Sequence, residues 1–298
     1  MSIKITMLGT GAALLDPDRG HSSIAVTIGE KTYLLDCGTD ASRQLVKANI
    51  DPTTVEAVFL SHLHFDHIAD FPVFVIGNWM ADRQTAPIVF GPQGTQEFVD
   101  HLFEEGAFAV DIKARLQYPQ RQNNAIALRP DVRLMAPGLI YEDDSVRVIA
   151  GLVDHIPEEI SNCFGLRLEA EGRVVAFSGD TAPCDTVLEL ARDADLLIHE
   201  ATFPEAAIEF RSKAGIGTYS HTSPRQLGVL AKEAGVKSLV ATHFGHWDST
   251  NPIVRKLAAK HMPVAMMGPH LMDEVATDIR EAYEGPLRLA HDQMTIHL

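Results

Sequence analysis

The chain has 298 residues, enough to bury one large core or two moderate ones. Hydrophobic content of 46% and charged content of 22% are those of a soluble globular protein, and no apolar run approaches the roughly 18 residues of a membrane span. A formal charge of −15 argues against dependence on phosphate-backbone attraction, so neither a membrane nor nucleic acid is the expected partner.

In chain order, Ile3 to Leu8 alternates like a strand, and Met1 to Gly9 shows neither the apolar stretch nor the cleavage site of a signal peptide. Gly9-Thr10-Gly11 reads as a tight turn, because Leu14 stands where a dinucleotide fingerprint needs its third glycine. Ser23–Ile28 and Thr32–Leu35 form a hairpin that ends in Asp36-Cys37-Gly38, followed by a helix from Ala41 to Ala48 with Asp40 as its cap. Val55 to Leu60 is a buried strand, and Ile68 to Met80 one helix. Pro87 to Phe90 is a short strand, and Thr95 caps a helix through Phe103. Residues 104 to 144 mix Gly, Pro, Gln and Asn with short apolar groups and receive no detailed assignment, a lid or a sheet edge both being open.

Val146–Ala150 is a strand, Phe164–Leu168 and Arg173–Phe177 a hairpin, Asp195–Ile198 and Ser238–Ala241 further strands. Asp185 caps a short helix. Ser223, Pro224 and Gln226 form a capping box at the next, and Asn251-Pro252 opens another. Asp273–Tyr283 is the last helix and Asp292–Leu298 a closing strand. Hairpins mixed with strand–helix units point to a layered α/β fold, and the absence of linkers points to a single domain over 1–298 built of two similar halves. Cys37, Cys163 and Cys184 are an odd set without paired spacing, which fits a reduced, cytoplasmic setting.

The chemistry concentrates in Ser61-His62-Leu63-His64-Phe65-Asp66-His67. His62 and His64 are two apart on extended backbone and share a side, while Asp66 and His67 follow on the turn and face a second point. One strand end can thus hold two borderline divalent ions side by side. Further candidates recur at strand ends: Asp36, His155, Asp180, His199 and His243.

His62 to His67, His155, Ser178-Gly179-Asp180-Thr181, His199 to Phe203, Ser220 to Pro224 and Ala241 to Gly245 together resemble the metallo-β-lactamase superfamily, and within it the branch of the tRNA 3′-processing endonuclease tRNase Z and its small-molecule relatives. The resemblance implies a four-layer αβ/βα sandwich with the metals at one edge. It assigns His62, His64 and His155 to one ion, Asp66, His67 and His243 to the other, and Asp180 to a bridge between them. It implies two divalent ions, zinc first and manganese or iron as alternatives, sharing a hydroxide nucleophile. Asp66 belongs to the catalytic set as well. Asp36 orients a ligand histidine. Glu200 and His221 form a proton relay to the leaving group. His199 is structural, and His246 and Trp247 line the pocket or a surface turn. His21, His101, His261, His270, His291 and His297 show no ligand pattern.

Two departures bear on the substrate. Residues 156 to 179 leave no room for the Lys-rich arm with which many bacterial tRNase Z proteins grip tRNA, and they are acidic, with Glu158, Glu159, Glu169 and Glu171. Phe65 stands where tRNA-processing members carry glycine, and with Phe203, Phe244 and Trp247 it suggests an apolar approach to the metals. The expected function is therefore a dinuclear metallohydrolase of a small ester-like molecule, a phosphodiester, sulfate ester or lactone. A tRNA 3′-endonuclease without the arm and a non-catalytic metal-containing binding or sensing protein are the alternatives. Homodimers are common in this branch.

Overall fold

Two seven-stranded sheets lie face to face, and their strand order explains where the chemistry sits. The computed structural model describes residues 2–103, 105–217 and 220–298. The first sheet takes β1 (Ile3–Gly9), β2 (Ser23–Ile28), β3 (Lys31–Leu35), β4 (Val55–Phe59), β5 (Ile88–Gly91) and β6 (Asp131–Leu134) in sequence order. The second takes β7 (Gly138–Glu142), β8 (Arg147–Leu152), β9 (Phe164–Ala170), β10 (Arg173–Phe177), β11 (Leu196–Glu200), β12 (Leu239–Thr242) and β13 (Leu287–Leu289). The chain then returns, and β14 (Thr295–His297) pairs antiparallel with β1 at the edge of the first sheet.

Side-chain alternation in the first sheet matches burial on both faces. Ile3, Ile5, Met7, Ile24, Val26, Tyr33, Leu35, Ala57 and Phe59 enter the core shared with the second sheet. Leu8, Ala25, Leu34 and Val58 point the other way, onto Phe71, Phe74, Val75 and Trp79 of the helix Phe71–Met80. A strand covered on both sides has to be apolar at odd and even positions alike, which is how these segments read. On the second sheet the helix Pro224–Glu233 brings Leu227, Leu230 and Ala231 into the shared core. The layers are helix, sheet, sheet, helix, the mixed α/β sandwich expected.

β3 runs parallel to β4, β10 to β11 and β11 to β12. Their C-terminal ends therefore emerge at common edges, and Asp36, Ser61-His62, Asp180, Glu200 and His243 stand at or just past those ends. The two edges are joined directly. Phe164 N–H donates to the Ser61 carbonyl at 3.0 Å, Phe244 N–H to Thr10 at 2.9 Å, and Ala12 N–H to Phe244 at 3.0 Å.

Several local expectations are corrected. The helix expected over 68–80 is two, Phe65–Ile68 and Phe71–Met80, because Pro72 lacks an amide donor and restarts the helix. Asp40 lies at φ 75° with no capping bond, its carboxylate spent on Arg43 at 2.6 Å. Cys184 rather than Asp185 precedes the helix Asp185–Leu190, and Gly94 rather than Thr95 precedes Thr95–Leu102. The capping box at Ser223 and the cap at Asn251 form as read. The unassigned stretch, whose first residue Glu104 lies outside the described residues, holds helices Ala109–Arg115 and Pro119–Gln122 and the edge strands β6 and β7. Among the described residues no helix is long and apolar enough to cross a membrane, and the three cysteines are free.

Candidate active site

Five imidazoles and two carboxylates converge where the edges meet. His62 Nε2 and His155 Nε2 each lie 3.0 Å from His64 Nδ1. On the other side His67 Nε2 stands 3.2 Å from His243 Nε2, and Asp66 Oδ2 stands 3.3 Å from the same His243 atom. Asp180 Oδ2 lies between the two groups, 3.7 Å from His155, 3.5 Å from His67 and 3.4 Å from His243. The ligand atoms of His62, His64 and His155 all fall within 4.8 Å of one another, as do those of His62, His67 and Asp180, and those of Asp66, His67 and His243.

The outward nitrogens decide what the inward ones are. His67 Nδ1–H donates to Asp36 Oδ2 at 2.7 Å, and His155 Nδ1–H to the Ser220 carbonyl at 2.9 Å. Ser61 Oγ gives its proton to Asp36 Oδ2 and so accepts from His62 Nδ1 at 3.0 Å. Thr202 Oγ1 gives its proton to Glu200 Oε2 at 2.7 Å and so accepts from His243 Nδ1 at 2.8 Å. With Nδ1 protonated in all four rings, each Nε2 presents a lone pair to the centre. Two lone pairs at 3.2 Å repel unless a cation lies between them, and the donor set of neutral imidazole plus carboxylate fits zinc or a similar divalent ion. Burial and neighbouring imidazoles hold His62 well below its ordinary pKa, and burial lowers His64 and His155 too, which keeps them unprotonated. At His67 burial is outweighed by Asp180 and Asp36, which push it well up, so this corner demands positive charge from a proton or a metal.

Asp36 is fully buried, at φ 58°, and accepts from Ser61 N–H at 2.7 Å besides the bonds above. A left-handed aspartate is uncommon, and its bonds hold it there. Gly38 follows because any Cβ at that position would collide with the Asp66 carbonyl oxygen.

Glu200 is buried under the second sheet's loops. Its Oε1 receives His221 Nδ1 at 2.8 Å and Thr181 N–H at 3.1 Å, and its Oε2 receives Thr202 N–H at 3.2 Å. Burial would raise the Glu200 carboxyl, but His221 outweighs it and holds it low. In return, burial would lower His221, but Glu200 outweighs it and pushes His221 up to about 9. The ring therefore carries a proton at neutral pH, and it lines a cavity of about 330 Å³ together with His64, Asp66, His155, Asp180 and His243.

His246 and Trp247 line that cavity, as does Phe203. Phe65 and Phe244 are not among its lining residues. Phe65 is 55% exposed and packs edge-on against His21 at 5.5 Å, so it does not supply the apolar cavity lining expected of it. His199 Nδ1–H donates to the Glu200 carbonyl at 2.8 Å, and among the described residues its buried Nε2 has no partner. Four contributors went unread in the sequence. Ser61 and Thr202 steer the tautomers of His62 and His243, their only signal being a place beside His62 and two residues past Glu200. Arg211 and His261 line the cavity from segments without a motif.

The family model for Anti-Pycsar protein Apyc1 matches residues 3–212. Ribonuclease Z of Mycobacterium bovis (strain BCG / Pasteur 1173P2) is 33% identical over 248 residues, 81% of this chain and 86% of that protein. Among solved structures, the metallo-beta-lactamase fold protein YhfI from Bacillus subtilis aligns over 100% of both chains with a TM-score of 0.74 at 18% identity. Human tRNase Z, short form, aligns over 98% of both at 0.66 and 22%. The expectation of a small-molecule substrate with nucleic acid excluded is overturned by the ribonuclease Z relatives, which match across both halves of the chain. Net charge measures the far field, whereas a nuclease takes hold of its reacting phosphate at the metal edge, where charge is local. An acidic 156–179 segment without an arm does not exclude RNA.

Proposed function

Because the chain belongs to the Apyc1 family and, through its ribonuclease Z relatives, to the tRNase Z-like branch of the metallo-β-lactamase superfamily, we propose that it is a dinuclear phosphodiesterase that cuts RNA at the 3′ end of tRNA precursors. It is a hydrolase of phosphodiester or ester bonds, and the finer reading rests on the site beside those relatives. The observation that carries it is the convergence of five imidazoles and two carboxylates next to His221, whose Nδ1 lies 2.8 Å from the buried Glu200 carboxylate.

In this reading His62, His64 and His155 would hold one ion, Asp66, His67 and His243 would hold the other, and Asp180, which stands between the two groups, would serve both. Zinc is the metal that suits the donors best. Such a pair, when bound, lowers the pKa of water and polarises a phosphoryl oxygen. The chain's own residues do the rest. Asp36, Ser61, Thr202 and the Ser220 carbonyl fix the ligand rings in the Nε2-inward state. Asp66 and Asp180 supply negative charge that balances the cations. Glu200 keeps His221 charged and oriented, and His221 donates its proton to the departing oxygen as the P–O bond breaks.

The test is incubation of the metal-loaded protein with a precursor tRNA carrying a 3′ trailer. Accurate release of the trailer at catalytic enzyme concentrations is expected, and it should stop on adding chelator. Intact precursor after long incubation, with both ions present by elemental analysis, would remove the RNA reading.

A further inference from the structure

The cavity carries a cation that the proposed chemistry does not use. Arg211 lies in the last turn of the helix Glu205–Lys213 and lines the cavity wall. Its guanidinium carbon sits 4.6 Å from the centre of the Phe203 ring, and that ring meets His221 edge-on at 5.3 Å. The guanidinium thus stands one ring further along the wall that bears the proton donor. Stacking on Phe203 fixes its plane.

Among the described residues no carboxylate pairs with it. Nη2–H donates to the Gly217 carbonyl at 2.9 Å and Nη1–H to His261 Nδ1 at 3.4 Å. Nε is buried without a partner. Burial lowers the Arg211 pKa with no neighbouring carboxylate to offset it. In a chain with 40 acidic and 25 basic residues, a partly desolvated guanidinium without an anion is an unbalanced cost. One N–H on Nη1 and one on Nη2 have no partner among the described residues, and that end of the guanidinium can take two phosphate oxygens. His261 accepts from Arg211 through Nδ1, so its Nε2 carries the hydrogen and offers one more donor.

We propose that Arg211, with His261 beside it, is a second phosphate subsite that holds the phosphate next to the reacting one, on the leaving-group side. The side follows from the order along the wall: metals, His221 at the departing oxygen, then Phe203 and Arg211. The substrate is accordingly recognised as a strand with at least two consecutive phosphates. This rests on the phosphodiesterase reading above and adds to it which part of the strand is gripped.

Three substrates test it on the metal-loaded enzyme: bis(4-nitrophenyl) phosphate, a diribonucleotide, and the same diribonucleotide with a terminal phosphate on its leaving-group side. The added phosphate should lower KM by roughly ten- to a hundredfold, the scale of charge-assisted hydrogen bonds. Arg211→Gln should abolish that gain, leave kcat within about threefold, and barely change KM for the two substrates without the extra phosphate. Arg211→Lys, which keeps the charge and loses the fork, should retain part of the gain. No benefit from the extra phosphate in the wild type, or equal KM losses on all three substrates, would overturn the subsite. A second readout needs no cleavage. Inorganic sulfate titrated into the enzyme should shift the His261 imidazole resonances saturably, and Arg211→Gln should remove the shift. Resonances that never move would count against the subsite. A sulfate response in an enzyme that cuts no phosphodiester would spare the subsite and refute the phosphodiesterase reading.

Discussion

At the residue scale the site is a set of paired dependencies. His221 and Glu200 each hold the other in its charged state, and the direction of that coupling has a measurable consequence. His221 is pushed up to about 9, so it is protonated below that pH and loses its proton as pH rises through it. Turnover of substrates with poor leaving groups should therefore hold below about 9 and fall above it. His221→Ala should slow such substrates by about 10²–10⁴-fold, erase this alkaline limb and leave metal content near normal. Equal losses on nitrophenyl and alkyl leaving groups would point to a structural role instead. Asp180 tests the centre differently. Its Oδ2 lies within 3.7 Å of nitrogens in both groups, so Asp180→Ala should cost most of the activity and at least one ion by elemental analysis. Two ions and full rate in that variant would take Asp180 out of the bridge.

At the element scale, each site group hangs on a short turn that leaves a strand, and backbone contact controls the fit. Gly38 is the tightest of these. Gly38→Ala would push its methyl into the Asp66 carbonyl and should cost about 1–3 kcal/mol, read as a lower melting temperature together with weaker metal retention. A variant with unchanged melting and metal content would show that the turn can yield. The same scale shows what could be read from sequence. β1 to β4 were legible because apolar runs closed by Asp-Cys-Gly or Ser-His leave little choice of backbone. The cluster of candidate ligands after β4 was legible because histidines two apart on a strand end, followed by Asp-His, have few other uses. The cap at Asp40 was misread because local charge competes for its carboxylate, which Arg43 takes, and the cap at Asp185 because the helix begins one residue earlier than read. Residues 105 to 144 were illegible because their helices are short, Pro119–Gln122 burying no residue at all. Arg211 was invisible for another reason: only the fold brings it to Phe203 and His261.

At the scale of the molecule the candidate ligands divide between the sheets. His62, His64, Asp66 and His67 follow β4 in the first, while His155, Asp180 and His243 follow β8, β10 and β12 in the second. Bound ions would therefore tie the two together. Ligands that bind only the folded state stabilise it by mass action, about 2.7 kcal/mol per site at a hundred times the dissociation constant. Chelation should lower the calorimetric melting temperature by several degrees, and restoring zinc should recover it. An unchanged melting temperature in metal-free protein would mean that the shared core alone sets stability. The division has a further consequence in time. During synthesis the first four ligands leave the ribosome long before the last, and Phe244, which pairs with Thr10 across the edge, follows His243 by one residue. A growing chain thus holds half a centre for most of its making. Both halves of the candidate centre, and any hydrolysis that depends on them, are complete only once β12 and the turn after it have been made.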